Sequence, residues 1–183
     1  IRGIFELQTE TALKNMELLR QAVGAKLDVI IISGTDFGTQ NSLMVSPELF
    51  RILWKPLFKK MNDWVHANTP WKTFYHTDGA MMPLLDDFVE MGVDILNPVQ
   101  CSAAGMDAKT VKSKYADKLV FWGAGVDTQH TLPFGTSEEV REEVRERIRV
   151  FGAGGGYVFS TIHNILSNTP EGNLIAMYEA ALD

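Results

Sequence analysis

Apolar residues recur at helical spacing from Thr9 to Val23, where Ala12, Leu13, Met16, Leu19 and Val23 share a face and Gly24 supplies a stop. The pattern then changes. Asp28 to Ser33 is a β-branched run without alternation, which predicts a strand covered on both faces, as in a parallel sheet. Gly34 to Asn41 is polar and glycine-containing, a loop leaving that strand's C-terminal end, where function concentrates. Ser46-Pro47-Glu48 combines an N-cap, a first-turn proline and an acid at the positive end of the helix dipole. The helix it starts is predicted to run to about Ala67, with a break near Pro56.

The alternation continues down the chain. Lys72 to His76 predicts a strand, Pro83 to Met91 a helix closed by Gly92, and Asp94 to Asn97 another strand. Asp107 caps a short helix to Tyr115, and Leu119 to Trp122 reads as a fourth strand with Gly123 to Asp127 leaving it. Thr136 and Glu139 fit a capping box for a charged helix from Ser137 to Phe151, whose buried stripe is Val140, Val144, Ile148 and Phe151. Tyr157 to Thr161 predicts a fifth strand. Thr169-Pro170-Glu171 repeats the cap, proline and acid start of a last helix through Leu174, Ile175, Met177 and Tyr178.

Strands alternating with helices in this way predict a parallel α/β fold with right-handed crossovers, either a doubly wound sheet or a (β/α) barrel. No glycine-rich loop joins a first strand to its helix in the dinucleotide manner, which favours the barrel. A full barrel takes about 250 residues, so a chain of 183 residues is expected to form roughly its second half. The first residue is Ile1, and the text opens in what reads as mid-domain, which suggests a segment of a longer product. Such a segment leaves strand edges that the N-terminal half of the barrel, or a second copy of the chain, is expected to cover.

Composition narrows the partners. With 45% hydrophobic residues and four tryptophans the chain can bury a real core, and a net charge of -6 without a basic cluster argues against nucleic acid and anionic membrane surfaces. Cys101 is the single cysteine, so no internal disulfide forms, consistent with a reducing cytoplasm. The longest apolar runs are too short to span a bilayer.

Candidate chemistry collects at the C-terminal ends of the strands, which converge on one face of a barrel. Those ends supply Asp36 and Gln40, His76 and Asp78, Asn97 and Gln100, Asp127 with Gln129 and His130, and His163 with Asn164. Any one of them alone could simply cap a helix or tie two loops. His76 and Asp78 stand two apart and point the same way on an extended segment. With His163 they make a two-His, one-carboxylate set able to hold Zn or Fe(II) with open positions. A hydrogen-bonded pair without metal is the alternative. Gly152 to Gly156 precedes a strand instead of opening a helix, so it reads as a tight connection on the stability face, not a phosphate loop. Nothing near Cys101 lowers its pKa, so it reads as a bystander thiol.

The ordered motifs resemble the uroporphyrinogen decarboxylase superfamily. They are the Thr35-Asp36-Phe37-Gly38 loop, Val45-Ser46-Pro47-Glu48, the His76 strand end, Gly123-Ala124-Gly125-Val126-Asp127, Gly154-Gly155-Gly156-Tyr157, His163 and Thr169-Pro170-Glu171-Gly172-Asn173. The resemblance implies a (β/α)8 barrel, with residues 1–183 as the C-terminal portion of one barrel domain. The superfamily includes zinc-containing methyltransferases that take a methyl group from a corrinoid protein to coenzyme M. These hold zinc with an H-x-C pair and a later Cys; His76 matches the first ligand, Asp78 stands at the second and His163 at the third. The implied activity is methyl transfer from a methylcorrinoid on a partner protein to a metal-activated small-molecule acceptor. In that reading Asp36, His76, Asp127 and His163 do the chemistry, while Gln40, Asn97 and Gln100 contact the acceptor or orient the ligands.

The decarboxylases of the superfamily need no metal and act on a tetrapyrrole through an Asp from the N-terminal half. There Asp36 and His163 would meet substrate, although Asp36-Phe37-Gly38-Thr39-Gln40 departs from their D-S-x-A-G pattern. A noncatalytic barrel that binds a corrinoid protein or tetrapyrrole is the third reading.

Overall fold

The computed structural model describes residues 1–183. Five parallel strands form one sheet in sequential order: β1 (Val29–Ser33), β2 (Lys72–His76), β3 (Ile95–Asn97), β4 (Val120–Trp122) and β5 (Tyr157–Val158). Helices occupy every crossover. Those in the crossovers are α2 (Pro47–Leu53), α3 (Lys55–Asn68), α4 (Leu85–Glu90), α5 (Ala108–Tyr115), α6 (Thr131–Phe134) and α7 (Ser137–Gly152), while α1 (Arg2–Val23) precedes β1 and α8 (Glu171–Leu182) follows β5. The architecture is α/β, a partial (β/α) barrel whose strands all end on one rim. No helix is long and apolar enough to cross a membrane.

The register levels the functional ends. His76 pairs with Asn97, and one residue earlier Tyr75, Leu96, Phe121 and Tyr157 form a continuous row. That row faces the helices: Tyr75, Leu96 and Phe121 are buried among Phe58, Phe88 and Phe151 in the main core. A smaller core of Val126, Leu132, Val140, Val144, Ala176, Met177 and Ala180 joins α6, α7 and α8 under the last loops. Polar anchors complete it. Asp87 on α4 is buried and accepts from Arg51 Nε at 2.9 Å and Lys55 Nζ at 2.7 Å, fastening α2 and α3 to α4.

Burial alone disfavours the charged Asp87 carboxylate, but these two cations outweigh it and hold its pKa below the usual range. Its contribution is therefore complete above the unfolded value near pH 4 and disappears as pH falls through the lower folded value. Asp87→Asn is expected to destabilise the protein by about 2–3 kcal/mol at neutral pH. In urea denaturation the difference from wild type should shrink once the pH drops below about 4.

Several boundaries differ from expectation for local reasons. The first helix begins at Arg2 instead of Thr9, because Phe5 packs on Trp54 and extends the buried face. The break between α2 and α3 falls at Trp54, and Pro56 sits in the first turn of α3, where its missing N–H costs nothing. In β1, expected to be covered on both faces, Ile31 is 67% exposed because this is an edge strand with one open face. Regular pairing ends at Val158 in β5, also an edge, although the Ser160 carbonyl still accepts from Gly125 N. The last helix starts at Glu171 with Pro170 at its cap position and no side-chain cap from Thr169. The short α6, only four residues, lacked a period to read.

The caps at Ser46, Asp107 and Thr136 form as their residue types predict, the last with both arms of the capping box. Gly152 to Gly156 enters β5 at the end opposite the functional rim, and Lys112 Nζ donates to the carbonyls of Phe151 and Gly155 beside it. That loop is structural.

Candidate functional site

His76 ends β2, and its ring is fixed from behind. Asn97 Nδ2 donates to the Trp122 carbonyl at 2.8 Å, an acceptor only, so Asn97 Oδ1 faces His76 Nδ1 at 2.7 Å. Nδ1 therefore carries the proton. In the neutral ring, Nε2 presents a lone pair to the rim.

Two carboxylates meet that lone pair. Asp36 Oδ1 lies 4.0 Å and Asp78 Oδ2 3.6 Å from His76 Nε2. One donor atom each from Asp36, His76 and Asp78 falls within 4.8 Å of the others. Asp78 Oδ1 is buried and has no hydrogen-bond partner. Burial pushes the Asp78 carboxyl up, and Asp36 adds to the rise, while His76 and His163 oppose it. Two carboxylates gathered on one imidazole nitrogen suit a positive charge, carried by a metal ion on the neutral ring or by the imidazolium itself.

The backbone holds this arrangement before anything binds. Asp78 N donates to Asp36 Oδ1 at 2.9 Å, and Phe37 N donates to the buried Thr77 Oγ1 at 3.0 Å. The loops after β1 and β2 cross at Gly38 and Gly79, the latter with φ of +92°. A Cβ on Gly79 would sit 2.4 Å from the Gly38 carbonyl carbon, so only glycine permits the crossing.

Gln40 and Gln100 take part in the same scaffold. Gln100 Oε1 accepts from Gly79 N at 2.8 Å, its Nε2 donates to Gln40 Oε1 at 2.8 Å, and Gln40 Nε2 donates to the Ser102 carbonyl at 2.7 Å. Both amides tie three loops together. Asp127, buried in the loop after β4, likewise spends its carboxylate locally: Oδ1 accepts from Gln129 N at 2.7 Å and His130 N at 3.3 Å, and Oδ2 meets His130 Nδ1 at 3.2 Å. Glu143 of α7 accepts from Asp127 N and from Arg147, which fixes the turn from below.

Two clefts meet over this floor. One, of about 440 Å³, is lined by Thr39, Gln40, Ser102, Thr128 and Gln129 on one side and His163, Asn164 and Leu166 on the other. The second, of about 320 Å³, holds His76, Asn97 and Ser160. Ile162, His163 and Asn164 line both. His163 Nε2 comes within 3.8 Å of Asp78 Oδ2 but stands outside the tight group formed with His76 and Asp36. No Lys or Arg lines either cleft.

Sequence spacing therefore anticipates the nearness of His76 and Asp78 and the common address of Asp36, Asn97, Gln100, Asp127 and His163. Thr77, Ser102, Thr128 and Glu143 were missed; Thr77 and Thr128, each beside a candidate residue, carried that signal, whereas Ser102 and Glu143 reach the site only through tertiary contact. Burial pushes the Cys101 thiol up to about 11, the direction opposite to that of an activated nucleophile.

The uroporphyrinogen decarboxylase (URO-D) family model matches residues 6–183. Among curated proteins, no sequence matches the chain. Among solved structures, a methyltransferase from Methanosarcina mazei superposes with a TM-score of 0.63 at 23% identity, a likeness of fold. The match covers 84% of this chain and 41% of that one, so the chain spans well under half of the methyltransferase's length.

Proposed function

We propose, from the premise that the chain belongs to the uroporphyrinogen decarboxylase family, that it forms part of a methyltransferase moving a methyl group from a corrinoid partner protein to a small-molecule acceptor. The carrying observation is the centre at the rim, where His76 Nε2 and the Asp36 and Asp78 carboxylates converge. These residues fit a divalent cation, zinc or Fe(II). The donor types suit such an ion, and its charge would offset that of an Asp78 carboxylate whose Oδ2 meets His76 and whose Oδ1 is buried without a partner. His76 and Asp78 would hold it, with a third donor from Asp36 or His163.

When bound, the ion supplies Lewis acidity that lowers the acceptor's pKa. The chain's own residues do the rest. Asn97 keeps the proton on His76 Nδ1, so Nε2 stays a donor of electrons. The Gln40–Gln100 bridge and the Gly38–Gly79 crossing hold Asp36 and Asp78 in place before substrate arrives. His163 and Asn164 line both clefts and so lie between a molecule in one and a molecule in the other. Asp127 shapes the cleft wall through its turn.

The test uses the intact protein, loaded with zinc or Fe(II) under anaerobic conditions, with methylcobalamin as donor and coenzyme M as acceptor. The thiolate sulfur forms the new S–CH3 bond, the Co–C bond breaks with both electrons left on cobalt, and the thiol proton passes to solvent. Loss of methylcob(III)alamin absorbance with appearance of cob(I)alamin is expected. No demethylation, together with conversion of uroporphyrinogen acetate arms to methyl groups, would replace this reading with the decarboxylase one.

A further inference from the structure

We infer that Asp36 is the third protein donor to the cation and that His163 is not a ligand, which makes the centre a one-imidazole, two-carboxylate site. The inference rests on the metal-dependent reading above and specifies it.

Distance decides between the two residues. Donors bound to one ion at about 2.0–2.2 Å cannot lie more than about 4.4 Å apart. His76 Nε2 meets that limit with both Asp78 Oδ2 at 3.6 Å and Asp36 Oδ1 at 4.0 Å. At tetrahedral angles the donors would stand about 3.4 Å apart, so bringing the two carboxylates onto an ion held by His76 takes shifts of under an ångström in each of these two distances. His163 reaches Asp78 at 3.8 Å, yet it is absent from the set of donors mutually within 4.8 Å. For His163 to join His76 on one ion, its side chain would have to come closer.

Preorganisation points the same way. The Asp78 N–H fixes Asp36 Oδ1 from one side, leaving its remaining lone pairs free, and the Phe37–Thr77 hydrogen bond pins the adjoining loop. Asp36 needs no ordering to bind. His163 is shared by both clefts, the position of a group that touches substrate, whereas Asp36 lines neither. The donor chemistry follows. Two carboxylates and one imidazole, without sulfur, favour harder ions such as Mn2+ and Fe2+, and accept zinc, while offering nothing to thiophilic ions.

Mn2+ is the probe. The intact protein is titrated with Mn2+, and free aquo-ion is followed by its electron paramagnetic resonance signal in wild type, Asp36→Asn and His163→Gln. Asn retains a carbonyl oxygen for the Asp78 N–H, so Asp36→Asn should keep the loop. Asp36→Asn is expected to weaken binding about tenfold or more and His163→Gln less than about threefold. Electron spin-echo modulation of the wild-type Mn2+ complex, which depends on no variant folding, should show one coordinated imidazole nitrogen, unchanged in His163→Gln. Two coordinated nitrogens, or equal weakening in the two variants, would overturn the assignment of Asp36 over His163 while leaving the metal-dependent reading intact. A wild-type protein that binds neither Mn2+, Fe2+ nor zinc would remove that reading and the inference with it.

Discussion

On the methyl-transfer proposal, His76→Ala is expected to lower the rate by about a thousandfold or more. The imidazole supplies the one nitrogen donor of the centre, and its Nε2 is the atom toward which both Asp36 and Asp78 are turned. Losing a bound Lewis acid forfeits several kcal/mol of transition-state stabilisation, and about 4 kcal/mol corresponds to a factor of about a thousand. Stability should change little. His76 is only partly buried, and its removal leaves Asn97 Oδ1 without a donor at the wet rim, a loss of about 1 kcal/mol. Single-turnover kinetics with methylcobalamin, set beside a thermal melt, separates the two effects. Transfer retained to within tenfold would place the chemistry elsewhere.

Gly79→Ala acts on the same centre through the fold. The added Cβ would lie 2.4 Å from the Gly38 carbonyl carbon and 2.6 Å from the Thr39 oxygen, both backbone atoms that cannot swing aside. The φ of +92° adds strain for any side chain. The loops after β1 and β2 must then separate, which costs the Asp78–Asp36 and Gly79–Gln100 hydrogen bonds as well. A loss of about 4 kcal/mol or more is expected, at the top of the range for single substitutions. Guanidinium denaturation measures it. A midpoint shift worth less than about 1 kcal/mol would mean that the two loops do not need this close approach.

How far the chain could be read in advance depended on how local the cause was. The caps at Ser46, Asp107 and Thr136 are set by residues within three positions of one another, and they form as read. The nearness of His76 and Asp78 was also local, although Asp78 lies beyond the last regular residue of β2 and is carried there by the pairing of Thr77 N with the Asn97 carbonyl. The parallel order β1 to β5 followed from alternation and crossover handedness.

What stayed hidden was decided across the sheet. Asp36 reads as a loop acid near substrate, and only the register of β1 on β2, with the glycine crossing, brings it to His76 and Asp78. Gln40 and Gln100 read as substrate contacts, yet sixty residues of separation conceal that their amides bond to each other. Asp127 reads as a rim acid, while its carboxylate closes its own turn. Edge effects shortened β5 and uncovered Ile31, because β-propensity does not record which strand lacks a neighbour.

The most direct measurement is the metal content of the intact protein by elemental mass spectrometry, for wild type and His76→Ala side by side. About one divalent ion per chain in wild type, lost in the variant, is the expected result. No metal in the wild type, even after incubation with zinc, Fe2+ and Mn2+, would contradict a metal-assisted methyl transfer and leave Asp36, His76 and Asp78 as a metal-free acid–imidazole cluster.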